Sequence, residues 1–149
     1  MDREKAIDEA RFSSGELREA LVERHSEETQ QKLEQGRVAI AGLGGLGSNV
    51  AIALTRIGVG HLHLLDFDRV DLTNLNRQQY FLDQVGRYKT EALSETLQRI
   101  NPYLDIRFDT VKITDENILR NVADTCNLTA GCVKKFERDE IFEILKECL

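Results

Sequence analysis

The chain reads as an α/β protein, a parallel sheet with flanking helices, and three observations predict it. RVAIAG, from Arg37 to Gly42, is a short β-branched run closing in glycine, the form of a buried strand. After a glycine-rich turn, SNVAIALTRIGVG places Val50, Leu54 and Ile57 at helical spacing. HLHLLDFD then supplies a second strand, with Leu62 and Leu64 on one face and acids at its end. Strand, turn, helix and strand in this order form a βαβ crossover, which joins parallel neighbours.

The other elements follow along the chain. Residues 1–36 are polar and helix-prone, an N-terminal helical extension. Ser13 with Glu16 has the form of a capping box for a short helix through about Leu21–Val22. Ser26 caps a second, EETQQKLEQ, with Glu27 and Glu28 at its positive end, and Gly36 ends it. Gly58 and Gly60 stop the helix after the first strand. Residues 69–88 are a polar connection with little periodicity. TEALSETLQRI is an amphipathic helix with Ala92, Leu93, Leu97 and Ile100 inward, broken at Asn101-Pro102. YLDIRFDTVKI alternates (Leu104, Ile106, Phe108) as a third strand, and Thr114 or Asp115 caps the helix ENILRNVA. DTCNLTAGC is a poor strand, and KKFERDEIFEILKECL is an amphipathic helix. The expected organisation is an extension at 1–36, an α/β domain at 37–123 and a divergent segment at 124–149. The second half of a doubly wound sheet is therefore expected to be missing or altered.

Composition excludes several classes of function. With 149 residues, 41% hydrophobic and 31% charged, the chain suits one soluble domain. A formal charge of −6 argues against a nucleic-acid surface, which needs a basic stripe. No apolar stretch approaches the roughly 18–20 residues that span a bilayer, and the acidic start MDREKAIDEA lacks the apolar core of a secretory signal. Cys126, Cys132 and Cys148 give neither a disulfide framework nor a CxxC zinc site, so a reducing cytoplasm is the simpler reading.

Chemistry enters at Gly42-Leu43-Gly44-Gly45-Leu46-Gly47, a GxGxxG pattern lying between a strand and a helix. Gly42 permits the tight turn, Gly44 and Gly45 let the backbone approach phosphate, and Gly47 lets the helix pack closely on the strand, the features of a Rossmann-type fold. Amides at the helix start near Ser48 then face the phosphates. Asp66, at the end of the next strand, stands where a ribose ligand is expected; it also reads as the solvated end of the strand, and Asp68 either helps or only caps. A nicotinamide enzyme fits the loop and its acid. The connection NLNRQQYFLDQVGRYK argues for a triphosphate instead, because phosphoryl chemistry needs fixed cations on the transferred and departing groups.

GLGGLGSNVAIALTRIGVGHLHLLDFDRVDLTNLNRQ, then Gly86, Lys89 and RINP, resembles the ThiF/MoeB family, relatives of the ubiquitin-activating enzymes, from about Arg24 to Val122. The likeness is strongest to the ThiF-type adenylyltransferases of the thiamine-pathway sulfur carrier. It implies a doubly wound, usually dimeric α/β enzyme that uses ATP and Mg2+ to adenylate the Gly-Gly carboxylate of a ubiquitin-like carrier in the cytoplasm. It further implies that Asp66 holds ribose and that Asn74, Arg77 and Lys89 contact phosphates. Arg24, in ERHSEETQQKL, is the nearest counterpart of an upstream arginine that reaches phosphate, often from the other subunit. Arg77 alternatively forms an ion pair with Asp71 or Asp83, Lys89 is alternatively a solvated lysine, and Arg24 alternatively a surface arginine. His25, His61 and His63 have no ligand partners at useful spacing. The sequence departs from the family where a strand should end in a magnesium-binding acid: Asp124 lies too early, so no metal ligand is assigned. The competing readings are a non-catalytic nucleotide-binding or dimerisation module and a nicotinamide dehydrogenase.

Overall fold

A computed structural model describes residues 3–8, 10–112, 116, 120, 124 and 137–147. Two compact units divide the chain, Met1–Val111 and Lys112–Leu149. The first holds α1 (Arg3–Asp8), α2 (Ser14–His25), α3 (Glu27–Gln35), β1 (Arg37–Ala41), α4 (Gly47–Arg56), β2 (His61–Leu65), α5 (Lys89–Ile100) and β3 (Asp105–Asp109). The second holds α6 (Arg138–Glu147), where Arg120 pairs with Asp139 at 2.6 Å and lies over the buried Phe142 ring. The cysteines, the cap at Thr114 or Asp115 and the segment DTCNLTAGC lie outside the described residues, except for an exposed Asp124. Among the described residues, no helix is long and apolar enough to cross a membrane.

The sheet is parallel, in the order β1-β2-β3. Both crossovers pass through helices, so β1 and β2 pair from Arg37↔His61 to Ala41↔Leu65, and β2 and β3 from His61↔Asp105 to Leu65↔Asp109. One sheet face meets α4 and α5, and the core there gathers Ile40, Leu62, Leu64, Ala51, Leu93, Leu97 and Leu104. Leu43, Val70 and Tyr80 extend that core beneath the glycine loop.

Helix α4 packs by a different face from the one its aliphatic spacing suggests. Its buried residues are Ser48, Ala51 and Thr55, while Val50 and Ile57 are exposed. The cause is the approach at Gly47, where a Cβ would stand 1.8 Å from the Gly42 carbonyl oxygen. A helix that close to a strand buries only small side chains fully, and Ile52 and the expected Leu54 pack half-buried against the core beside them. β3 departs similarly from its alternation: Leu104 is buried, Ile106 half-buried and Phe108 exposed, because this edge strand leaves the core as it advances.

The N-terminal helices close the other end of the sheet. Ser13 and Glu16 form the expected capping box. α2 runs beyond the expected Leu21–Val22 end to His25, since Ser26 both ends it and caps α3. Ser26 holds φ 94, a left-handed conformation unusual for a residue with a Cβ. Gln30 and Leu21 fit against Gly58 at the C-terminal end of α4. The three histidines have partners that sequence spacing could not reveal: His25 with Gln30 (2.8 Å), His61 with Asp105 (2.9 Å) and His63 with Asp109 (2.7 Å).

Candidate nucleotide site

The loop after β1 turns at Gly42, with φ 84, and enters α4 through Leu46 and Gly47. Its carbonyls face the helix: Gly44 O accepts from Ser48 N (3.1 Å) and Ser48 Oγ (2.6 Å), and Gly45 O accepts from Asn49 Nδ2 (2.5 Å). Among the described residues, the N–H groups of Gly44, Gly45, Leu46 and Gly47 donate to no protein acceptor. Four free amides at a helix start, with the positive end of its dipole, form a site built for an anion.

The preceding residue is tied down. Leu43 N donates to Asp66 Oδ2 at 2.6 Å, and Leu43 O accepts from the buried Tyr80 hydroxyl at 2.7 Å. Burial, with Asp66 and Asp68 nearby, pushes the Tyr80 phenol far above its ordinary range, so it remains a neutral donor. Asp66, 8% exposed, also accepts from Asp68 N at 2.7 Å. Its carboxylate is therefore a brace for the loop, and each oxygen keeps a lone pair for a ligand.

Arg77 lies across the loop. Its Cγ, Cδ and Nε stand 3.4, 3.5 and 3.7 Å from where a Cβ on Gly45 would be. Asn76 Oδ1 and Asn74 Oδ1 accept from its guanidinium at 3.2 and 3.1 Å, and neither Asp71 nor Asp83 pairs with it. Asn74 thus holds Arg77, and among the described residues no carboxylate pairs with the cation. Lys89 is different: 4% exposed, it donates through Nζ to Asp68 Oδ2 at 2.8 Å, and its N–H bonds to Asp68 O at 2.9 Å. Asp68 in turn donates its N–H to Asp66, so the lysine reaches the loop only through two carboxylates. Arg24 is exposed in the last turn of α2, an element packed at the far end of α4, and the structure does not bring it to the loop of its own chain. Asp66, Asp68, Asn74, Arg77 and Lys89 are gathered around Gly42–Gly47.

Sequence reasoning missed Tyr80, and it saw Gln78 only as one polar residue of the connection, with no role of its own. Gln78 is 7% exposed, and its Nε2 lies 3.7 Å from a Cβ position on Gly44. The only signal was adjacency to Arg77 in NLNRQQY, and a glutamine in a polar run announces no burial. Gln78 and Arg77 thus stand over Gly44 and Gly45 at the distance of ordinary contact with a Cβ. Among the described residues, no group of three or more His, Cys, Asp or Glu is placed to hold a metal ion.

The ThiF family profile matches residues 17–140. The chain belongs to the ThiF family. It is 35% identical over 141 residues to ubiquitin-like modifier-activating enzyme 5 of Drosophila persimilis, covering 87% of this chain and 35% of that protein. The Arabidopsis thaliana protein of the same name is 45% identical over 84 residues, 56% of this chain and 20% of the relative. Among solved structures, E. coli MccB with ATP matches with a TM-score of 0.59 and 36% identity over 62% of this chain and 28% of that one. E. coli tRNA N6-threonylcarbamoyladenosine dehydratase, TcdA, in complex with AMP, matches with a TM-score of 0.64 and 30% identity over 72% of this chain and 44% of that one. The ThiF-family chain thus spans between a fifth and under a half of the length of these relatives.

Proposed function

We propose that the chain binds ATP on Gly42–Gly47 and adenylates the C-terminal Gly-Gly carboxylate of a ubiquitin-like sulfur carrier, releasing pyrophosphate. The observation that carries this reading is the pairing of four loop amides with an Arg77 laid over Gly45, the amides without a protein acceptor and the arginine without an acid among the described residues. The amides hold phosphate oxygens from below, and the guanidinium faces them from above. Asp66 offers its remaining lone pairs to ribose hydroxyls. A carrier carboxylate oxygen attacks the α-phosphorus, the bond from that phosphorus to the oxygen bridging to the β-phosphate breaks, and pyrophosphate leaves with both bonding electrons. Charge on the transferred and departing oxygens is what Arg77 stabilises. Lys89 acts in the same sense once the anion competes with Asp68 for its ammonium. Asn74 contributes by holding Arg77. Magnesium would enter with the nucleotide's phosphates, as part of the substrate.

The same reading includes a homodimer in the cytoplasm, with Arg24 serving the partner's nucleotide. An outward row on α4 supports association: Leu46, Val50, Ala53 and Ile57 are all exposed, at the alternating four- and three-residue spacing of a helix–helix seam. Sedimentation of the chain at micromolar concentration tests this, and a purely monomeric boundary would contradict it.

A second reading, a nucleotide-holding or dimerising module without turnover, is favoured by the Lys89–Asp68 pair, which engages one of the two cations. Exchange of labelled pyrophosphate into ATP separates the two. The proposal expects exchange that requires a Gly-Gly-ended carrier; ATP binding without exchange supports the module. Tight NADH binding without ATP binding would return the nicotinamide reading.

A further inference from the structure

Among the described residues, the buried side-chain atom left without a hydrogen-bond partner is Oε1 of Gln78. Two other buried glutamines show how folding ordinarily treats such an amide. Gln84 accepts from Phe81 N and donates to the Ala92 carbonyl and to Thr96. Gln30 bonds to His25 and Glu34. Gln78 has no such partners, although the chain around it is firmly held. Arg77 O accepts from Asn49 Nδ2 at 3.3 Å, and Gln79 N donates to Ser48 Oγ at 3.2 Å. The backbone on both sides is thereby fastened to the first turn of α4, and the Gln78 side chain is buried there. It faces Gly44 across the space that a side chain there would fill.

Packing alone does not call for glutamine at this position. Methionine or leucine fills a similar volume and leaves no oxygen stranded. We propose that Gln78 is a phosphate ligand of the nucleotide site, its Nε2 donating to a non-bridging oxygen held above Gly44. Phosphate oxygens only accept, so the nitrogen edge is the one that serves them. Nε2 already stands on the loop side, 3.7 Å from a Cβ position on Gly44, so the donor edge meets that oxygen without repacking. The stranded Oε1 is the cost of keeping a donor at that spot. This inference rests on the ATP reading above.

Calorimetric titration with ATP and with adenosine, alongside thermal melting, tests it on the wild type, Gln78→Met and Gln78→Glu. Gln78→Met is expected to weaken ATP at least tenfold, leave adenosine unchanged and melt no lower than the wild type. Gln78→Glu is expected to weaken ATP further, because it sets a carboxylate against phosphate. A Gln78→Met chain that binds ATP like the wild type, loses adenosine equally, melts well below the wild type or fails to fold overturns the proposal. Wild-type ATP binding combined with an indifferent variant overturns this inference alone. A wild type that binds no ATP overturns the nucleotide reading as well.

Discussion

Arg77 and Lys89 are both cations beside the same loop, yet the structure gives them different work. Arg77 is exposed and held by neutral amide oxygens, so its removal costs folding little, within about 0.5 kcal/mol for a surface site. Arg77→Ala is expected to weaken ATP by roughly 10- to 100-fold, in line with about 1.5–3 kcal/mol for a hydrogen bond to a charged group. Equal losses of binding and of melting temperature would mark it as structural. Asp66→Ala is the opposite case: it strips Leu43 N and Asp68 N of their acceptor in a buried site and is expected to cost about 2–4 kcal/mol of stability, read by urea unfolding. A stability change under about 0.5 kcal/mol would remove Asp66 as a brace. The glycines and Asp66 were legible because their spacing is fixed by the chain itself. The Lys89–Asp68 bond joins residues whose proximity depends on β2 meeting the start of α5, and a polar run carries no sign of that.

At the scale of elements, Gly47 decides how α4 meets β1. A methyl group there would overlap the Gly42 carbonyl, and neither backbone can retreat without moving a strand or a helix. Gly47→Ala is expected to destabilise the chain by more than about 3 kcal/mol or prevent folding, whereas Gly45→Ala meets the flexible Arg77 stem at ordinary contact and should fold. Circular dichroism melts of the two variants check this, and equal melting would refute the close-contact account. The order of strands and helices was legible from period and turn chemistry. The inner face of α4 was not, because the eye follows large aliphatics, and here close approach selects Ser48, Ala51 and Thr55 instead.

Across the whole molecule, several carboxylates lie below their ordinary range. The backbone and hydroxyl of Ser13 hold Glu16 low, Arg18 holds Glu27, Thr73 holds Asp71, and Arg87 holds Glu95. A depressed folded value gives stability that is present at neutral pH and is lost as pH falls through that value. The melting temperature is therefore expected to be flat near neutrality and to fall below about pH 4, where carboxylates protonate. A melting temperature that rises on acidification to about pH 3 would contradict this.

The parallel three-stranded sheet brings the loop after β1 and the acids after β2 to the same edge, and the connection before α5 folds back over both. Binding at that edge is the claim on which the rest depends. Titration of ATP into isotopically labelled chain, followed by amide resonances, measures it directly. The largest shifts are expected on the N–H groups of Gly44, Gly45, Leu46 and Gly47, with Arg77 Nε moving in step. Saturable shifts that leave those five groups unmoved would contradict it.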